Sequence, residues 1–285
     1  LFDPEKYFLV CVNMPGSCYG SIGPLENNPE TGQPYYHDFP FFTTRDMIRA
    51  YQPLREFLGI KKIKIGIGGS MGGQQLLEWA IEEPDLFEHI VPIATNAIHS
   101  PWGKAFNASQ RLCIELDPEW LQRHPLAGVQ GMKVARGIAL LSYRHPETYD
   151  LYQGDPDINS LGPYRSESYQ VYQGEKLARR FNAFSYYRLS QSMDSHHVGR
   201  GRGSILQALK RIRAKTHVVS IHSDLLFPQK EQEFLAANIP GASYFVIPSL
   251  FGHDGFLIES EALSVIINDC IKTEDLSPRS SYSPG

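Results

Sequence analysis

A serine stands among glycines at Gly68-Gly69-Ser70-Met71-Gly72. The spacing is G-x-S-x-G, the pattern of a serine exposed on a sharp strand-to-helix turn. Upstream, Ile63, Ile65 and Ile67 alternate with Lys62, Lys64 and Gly66, which predicts a strand over 62–68. Downstream, "QQLLEWAIEEP" reads as a helix stopped by Pro84. Glycines beside such a serine leave room for the helix to fold back on the strand. The N–H groups that open the helix suit a negative charge developing at the hydroxyl. A Gly-Ser turn also joins strand to helix where no chemistry is done, so the reading rests on finding a base and an acid.

An activated serine needs a general base, and the base needs an orienting acid. Two later apolar runs end in such residues. "HVVSI" (217–221) is followed by His222-Ser223-Asp224, and "YFVIPS" (244–249) by Leu250-Phe251-Gly252-His253. Ser70, Asp224 and His253 thus follow in the order nucleophile, acid, base, each just past a strand end, as in sheets of the α/β-hydrolase type. Three matches at three strand ends point to a catalytic triad rather than a plain turn.

The other histidines read differently. His196 and His197 are expected as an exposed pair at a polar helix end, and His222 as facing solvent or loop. His37, His89, His99, His124, His145 and His217 are expected outside any convergent cluster. None has metal-ligand spacing, so no metal is expected. Asp254 is either a loop carboxylate bound to local backbone or a counter-charge for a cationic substrate group. Arg179 and Arg180 read from the residues alone as a solvated helix face.

The elements must bring these residues together. "KYFLVCVN" (6–13) predicts a parallel strand buried on both faces. A helix over 43–59, capped by Thr43 or Thr44, leads to the strand at 62–68, the elbow and its helix, and a strand over 89–95. This β-α-β-α-β order predicts a mostly parallel sheet with right-handed crossovers. Residues 98–212 are helical in pattern, with no strand, and predict an insertion over the sheet. The sheet resumes with strands at 215–223 and 242–249 and helices near 228–238 and 256–272. The organisation expected is a core over 1–97, a helical lid over 98–212, a second core part over 213–272 and a disordered tail over 273–285.

Composition narrows the class. The chain has 285 residues, 42% of them hydrophobic, and a net charge of −4. No basic footprint for nucleic acid or a membrane surface appears, and no apolar run is long enough to cross a bilayer. Cys11, Cys18, Cys113 and Cys270 are scattered without a C-x-x-C pair, which fits a reducing, cytoplasmic setting.

With these residues assembled, the chain resembles the homoserine O-acetyltransferase family, acyltransferases of methionine biosynthesis with the α/β-hydrolase fold. The resemblance covers nearly the whole chain except the tail. It rests on "GSCYGSIGP" (16–24), "NPETGQPYYHDFP" (28–40), "GGSMGGQQLLEWA" (68–80), "GEKLARRFNAFSYY" (174–187), "VGRGRG" (198–203), "SDLLFP" (223–228) and "GHDGF" (252–256). Ile22 and Ser204 depart from the family pattern in tolerable ways.

The resemblance implies that Ser70 takes an acetyl group from acetyl-CoA, with His253 as base and Asp224 as its orienting acid. It implies the Met71 N–H as one oxyanion donor, and Arg179, Tyr186 and Asp254 as contacts of L-homoserine. Acetyl-CoA is then a co-substrate, and no bound cofactor is expected. The implied mechanism is ping-pong, with a homodimer formed through the helical lid. An esterase on the same triad, a succinyl donor and a serine acceptor remain alternatives, since one methylene separates homoserine from serine. Arg200 and Arg202 are expected to bind turns rather than a CoA phosphate. The chain opens at Leu1 rather than Met. Against the family pattern, the first three strands and the loop carrying the second oxyanion donor would lie upstream of it. In that fold the third of them lies between the strand at 6–13 and the nucleophile strand at 62–68, so a chain lacking it is expected to fold poorly and to have little activity.

Overall fold

The computed structural model describes residues 2–159 and 161–275. Helix α1 (Thr44–Phe57) begins at a capping box: Thr43 Oγ1 accepts from Asp46 N–H, and the Asp46 carboxylate accepts from Thr43 N–H at 2.8 Å. Strand β1 (Ile63–Gly69), helix α2 (Met71–Glu82) and strand β2 (Phe87–Ile93) follow. Strands β3 (Lys215–Ile221) and β4 (Ser243–Ile247) flank helix α9 (Gln229–Asn238). The strands form one parallel sheet in the order β1-β2-β3-β4. β2 and β3 are almost continuously buried, as parallel strands covered on both faces must be.

One face packs α2, α9 and the segment 198–214 against Ile90 and Val218, through Leu77, Ile81, Leu209, Ile212 and Leu235. The other face packs Val91, Val219, Ile221 and Ile247 against Leu263 and Ile267 of helix α11 (Ser260–Asp275). The short helix α10 (Gly255–Ile258) precedes α11, so the helix expected over 256–272 is broken at Glu259, whose ψ of 49° leaves the helical region. The described part of the expected tail, up to Asp275, is the end of α11; the rest lies outside the described residues.

The run at 6–13 is not a strand. Phe8 and Leu9 are 75% and 55% exposed, and β1 pairs only with β2 among the described residues. An apolar run becomes a strand only when a neighbour takes its backbone hydrogen bonds, and none does so among the described residues.

Between β2 and β3 the chain is helical: α3 (Pro101–Glu115), α4 (Val129–Tyr143), α5 (Pro146–Gln153), α6 (Arg165–Ala178), α7 (Ala183–Asp194) and α8 (Ile205–Leu209). Their own core holds Ile114, Trp120, Met132, Leu177 and Phe184. The stretch 169–196 is split at 179–182, because Asn182 adopts an extended conformation and its side chain caps α7 by accepting from Ser185 N–H at 2.8 Å. The end of the segment, residues 198–212, packs into the sheet's core rather than over it. Arg202 there is nearly buried. It donates to Val198 O and pairs with Glu78 and Glu82, each at 2.8 Å, while Arg200 donates to Ser195 O at 2.6 Å.

The histidine expectations need correction. His196 is buried, its Nδ1 3.0 Å from Thr44 Oγ1 and its Nε2 3.0 Å from Asn96 O. Helix pattern alone could not show that this turn folds inward beneath α1. His89 and His217, on neighbouring strands, stack with rings 5.3 Å apart and nitrogens 3.0 Å apart. His99 is also buried, within reach of Gln74 and Asn107. Burial pushes His196 down to about 3 and His99 down to about 4, and burial, then the charge of His89, pushes His217 down to about 4.

These lowered values fix a sign. Below about pH 6.5 the unfolded chain takes up protons that these folded sites refuse, so stability is full above that pH and falls as pH drops toward 4. At pH 5, His196 and His99 each cost on the order of 2 kcal/mol relative to neutrality. Thermal melts from pH 7.5 to pH 5 are expected to show a steady fall in Tm. A flat Tm across that range would contradict the buried, neutral state of these rings.

Candidate active site

The C-terminal ends of β1, β3 and β4 share one edge of the sheet, and Ser70, Asp224 and His253 follow them there. Ser70 makes the turn between β1 and α2 at φ 54°, ψ −122°, backbone that L side chains rarely adopt. Its surroundings hold it there. Ser70 N–H donates to Ile93 O at 2.9 Å, and Ser70 O accepts from Gln74 N–H at 3.1 Å and from the Thr95 hydroxyl at 2.8 Å. A Cβ on Gly68 would stand 2.4 Å from the Gly72 carbonyl oxygen, so the helix can fold back only over glycine. Gly72 itself faces open space, so not every glycine of the motif is sterically required. Met71 is the first residue of α2, and its N–H has no acceptor within the helix.

Asp224 is buried in the loop after β3. Its Oδ1 accepts from Leu226 N–H and Phe227 N–H, both at 2.8 Å, and its Oδ2 lies 2.7 Å from His253 Nδ1. The two backbone donors fix the carboxylate's orientation, and the carboxylate fixes the imidazole's. His222, next but one in sequence, is exposed, as expected.

His253 sits on the 3-10 turn Gly252–Asp254 and is 4% exposed. Phe227 stacks on its ring at 5.0 Å, Phe256 meets it edge-on at 5.3 Å and Tyr143 lies at 5.8 Å. Phe256 also covers Gly69, where a Cβ would stand 2.4 Å from the ring. One aromatic side chain therefore touches both the base and the elbow. No hydrogen bond joins Ser70 Oγ to His253 among the described residues; in unliganded sites such bonds are often long and tighten with substrate.

The turn is keyed to its neighbours. Ser223 Oγ accepts from Gly252 N–H at 2.9 Å, joining the two loops. Gly252 has φ +62°, and a Cβ there would come within 2.9 Å of the backbone of Tyr143, Arg144 and His145. Gly252→Ala is therefore expected to strain the turn and push His253 from its acid. It should lower stability by about 1–3 kcal/mol and reduce kcat disproportionately, both checked by melting and by initial rates. Unchanged kcat would show that the turn does not depend on this approach.

Asp254 is neither bound to local backbone nor free: its Oδ2 pairs with the Arg144 guanidinium at 3.2 Å, at the end of α4. Arg179, expected from the resemblance to face the substrate, caps the end of α6 and is exposed; no described contact joins it to the triad or to Asp254. Tyr186 donates to Gln110 Oε1 at 2.5 Å, and burial raises its hydroxyl well above the ordinary range. Its side chain packs with the core of the helical segment. Tyr143 and Arg144 carry no motif of their own, and "SYRHP" reads only as a helix end, so sequence reasoning missed them; Phe256 closes the "GHDGF" segment but is given no role there. Among the described residues, no group of His, Cys, Asp and Glu is placed to hold a metal ion.

Comparison with known proteins bears on this arrangement. The family model for the α/β-hydrolase fold matches residues 1–260. A homoserine O-acetyltransferase of Cyclobacterium marinum is 47% identical over 266 residues, covering 93% of this chain and 76% of that protein. One from Thermus thermophilus is 46% identical over 270 residues, covering 94% and 68%. The crystal structure of a homoserine O-acetyltransferase from Staphylococcus aureus, 28% identical, aligns with a TM-score of 0.74 over 95% of this chain and 74% of that one.

Proposed function

The chain belongs to the homoserine O-acetyltransferase family and to the α/β-hydrolase fold, and from that premise we propose how its own residues carry acetyl transfer from acetyl-CoA to homoserine. The enzyme is an acyltransferase of methionine biosynthesis. The observation that supports the residue assignment most is the Asp224–His253 pair at 2.7 Å, on the same edge of the sheet as a serine held in strained backbone at the end of β1.

Asp224 accepts from Nδ1–H of His253, which leaves Nε2 as the base. His253 takes the Ser70 proton as Oγ attacks the thioester carbon. The Met71 N–H at the start of α2 stabilises the oxyanion; such a donor is typically worth about 3–4 kcal/mol. The carbon–sulfur bond breaks, His253 returns the proton to the CoA sulfur, and acetyl-Ser70 remains. His253 then takes the proton of the homoserine hydroxyl, whose oxygen attacks the ester, and passes it to Ser70 as O-acetylhomoserine forms.

Homoserine is a zwitterion, and the Arg144–Asp254 pair offers the complementary charges beside His253: the guanidinium for the carboxylate, the carboxylate for the ammonium. We assign the amino-acid contacts to this pair rather than to Arg179. The helices between β2 and β3 act in this reading as a cover that keeps water from the acyl-enzyme. A second copy would dock on the apolar side chains that α4 and α6 leave exposed, such as Val134, Leu141 and Val171. No helix among the described residues is long and apolar enough to cross a membrane, and we read the enzyme as cytoplasmic, where its thioester donor is made and used.

The test follows free CoA thiol released from acetyl-CoA, with and without L-homoserine, in the unmodified protein and in Ser70→Ala. Release that depends on homoserine and vanishes in the variant supports the assignment. Release unchanged by homoserine would make the protein a hydrolase.

A further inference from the structure

A cleft of about 380 Å³ opens between α5, α6 and the turn that carries His253. Its walls are aromatic: Tyr149 and Tyr152 of α5, Tyr169 of α6, and Phe251, two residues before the base. Tyr149 and Tyr169 meet edge-on at 5.9 Å, and Tyr152 lies parallel to Phe251 at 6.3 Å. Arg144 lines the cleft and pairs with Asp254, the residue after the base, at 3.2 Å.

We propose that this cleft seats the pantetheine arm of the acyl donor. The inference rests on the reading of the chain as an acetyl-CoA-dependent transferase. With its sulfur at Ser70, the donor must lay a long arm away from the triad before its phosphates begin. That arm is uncharged, with a branched apolar centre and two amides.

The cleft matches it in charge and in chemistry. Among the described residues, Arg144 is the only charged side chain lining it, and Asp254 neutralises that charge, so no lining cation is left for a phosphate. The rings offer flat apolar contact to the branched carbon. The Gln153 amide is placed to bond the arm's amides, and the Tyr149 hydroxyl is buried with no hydrogen-bond partner among the described residues. The nucleotide end then lies beyond the rim, toward solvent.

The experiment compares three donors: acetyl-CoA, acetyl-pantetheine, and the truncated thioester S-acetyl-N-acetylcysteamine. Tyr152 is 52% exposed, so Tyr152→Ala leaves the fold intact. It is expected to raise KM about five- to tenfold for the first two donors, with KM for the truncated donor and for homoserine unchanged. Tyr152→Phe, which keeps the ring, should restore the original values. An equal rise for all three donors, a rise for acetyl-CoA alone, or no rise would each overturn the assignment. Calorimetry keeps it separate from the transferase reading. CoA and free pantetheine are expected to bind and to weaken in Tyr152→Ala, whether or not turnover occurs. Binding of CoA's nucleotide fragment without that of pantetheine would place the arm elsewhere. Failure of every donor to acetylate homoserine would instead strike at the transferase reading.

Discussion

Asp224→Asn is expected to lower kcat for acetyl transfer by about 10⁴-fold, with little change in fold. The Asn carbonyl oxygen would still accept from Leu226 and Phe227 N–H, which now converge on Oδ1. The amide NH2 would then face His253 Nδ1, where Oδ2 now sits at 2.7 Å. A donor facing that nitrogen selects the wrong tautomer and puts the proton on Nε2, the atom that must act as base; in serine hydrolases that swap costs about this factor. The check is kcat by thiol release together with a thermal melt. A loss of less than tenfold with an unchanged melt would mean that Asp224 does not orient the base.

Asp254→Asn and Arg144→Gln are expected to act on the second half-reaction alone. Each removes one charge from a partly buried pair and one charge-assisted contact to the amino acid, worth about 1.5–3 kcal/mol. KM for homoserine should rise by about 10- to 150-fold. Formation of acetyl-Ser70 from acetyl-CoA, followed as a burst of thiol, should keep its rate. Arg179→Ala should change neither, since that side chain is exposed at the end of α6. A large homoserine effect at Arg179 with none at Arg144 would restore the assignment drawn from the family resemblance.

The contrast between those arginines shows what the sequence could carry. The placing of Ser70, Asp224 and His253 along one edge was legible because the fold turns one-dimensional marks into position: a parallel strand ends, and the turn that follows it stands at the sheet's edge. Ser70, Asp224 and His253 each carry that mark, and the four strands of the sheet lie within two residues of their expected ends. Arg144 carries no such mark. It becomes meaningful only because Gly252 lets the end of α4 approach the His253 turn, a contact between segments more than a hundred residues apart.

The same limit explains His196. Its polar neighbours suggest exposure, yet Thr44 and Asn96, both distant in sequence, supply its hydrogen bonds inside the protein. The run at 6–13 fails in the opposite way. Its composition is that of a strand, but composition cannot supply a pairing partner, and Phe8 and Leu9 remain exposed.

The central claim is that Ser70 carries the acetyl group between the two substrates. The most direct measurement is mass spectrometry of the protein mixed with acetyl-CoA, first alone and then after addition of L-homoserine. The account predicts one acetyl group on the peptide containing Ser70, discharged by homoserine faster than by water, with O-acetylhomoserine appearing in equal amount. Formation of O-acetylhomoserine by an undiminished Ser70→Ala variant, or an acetyl-Ser70 that homoserine does not discharge, would contradict it.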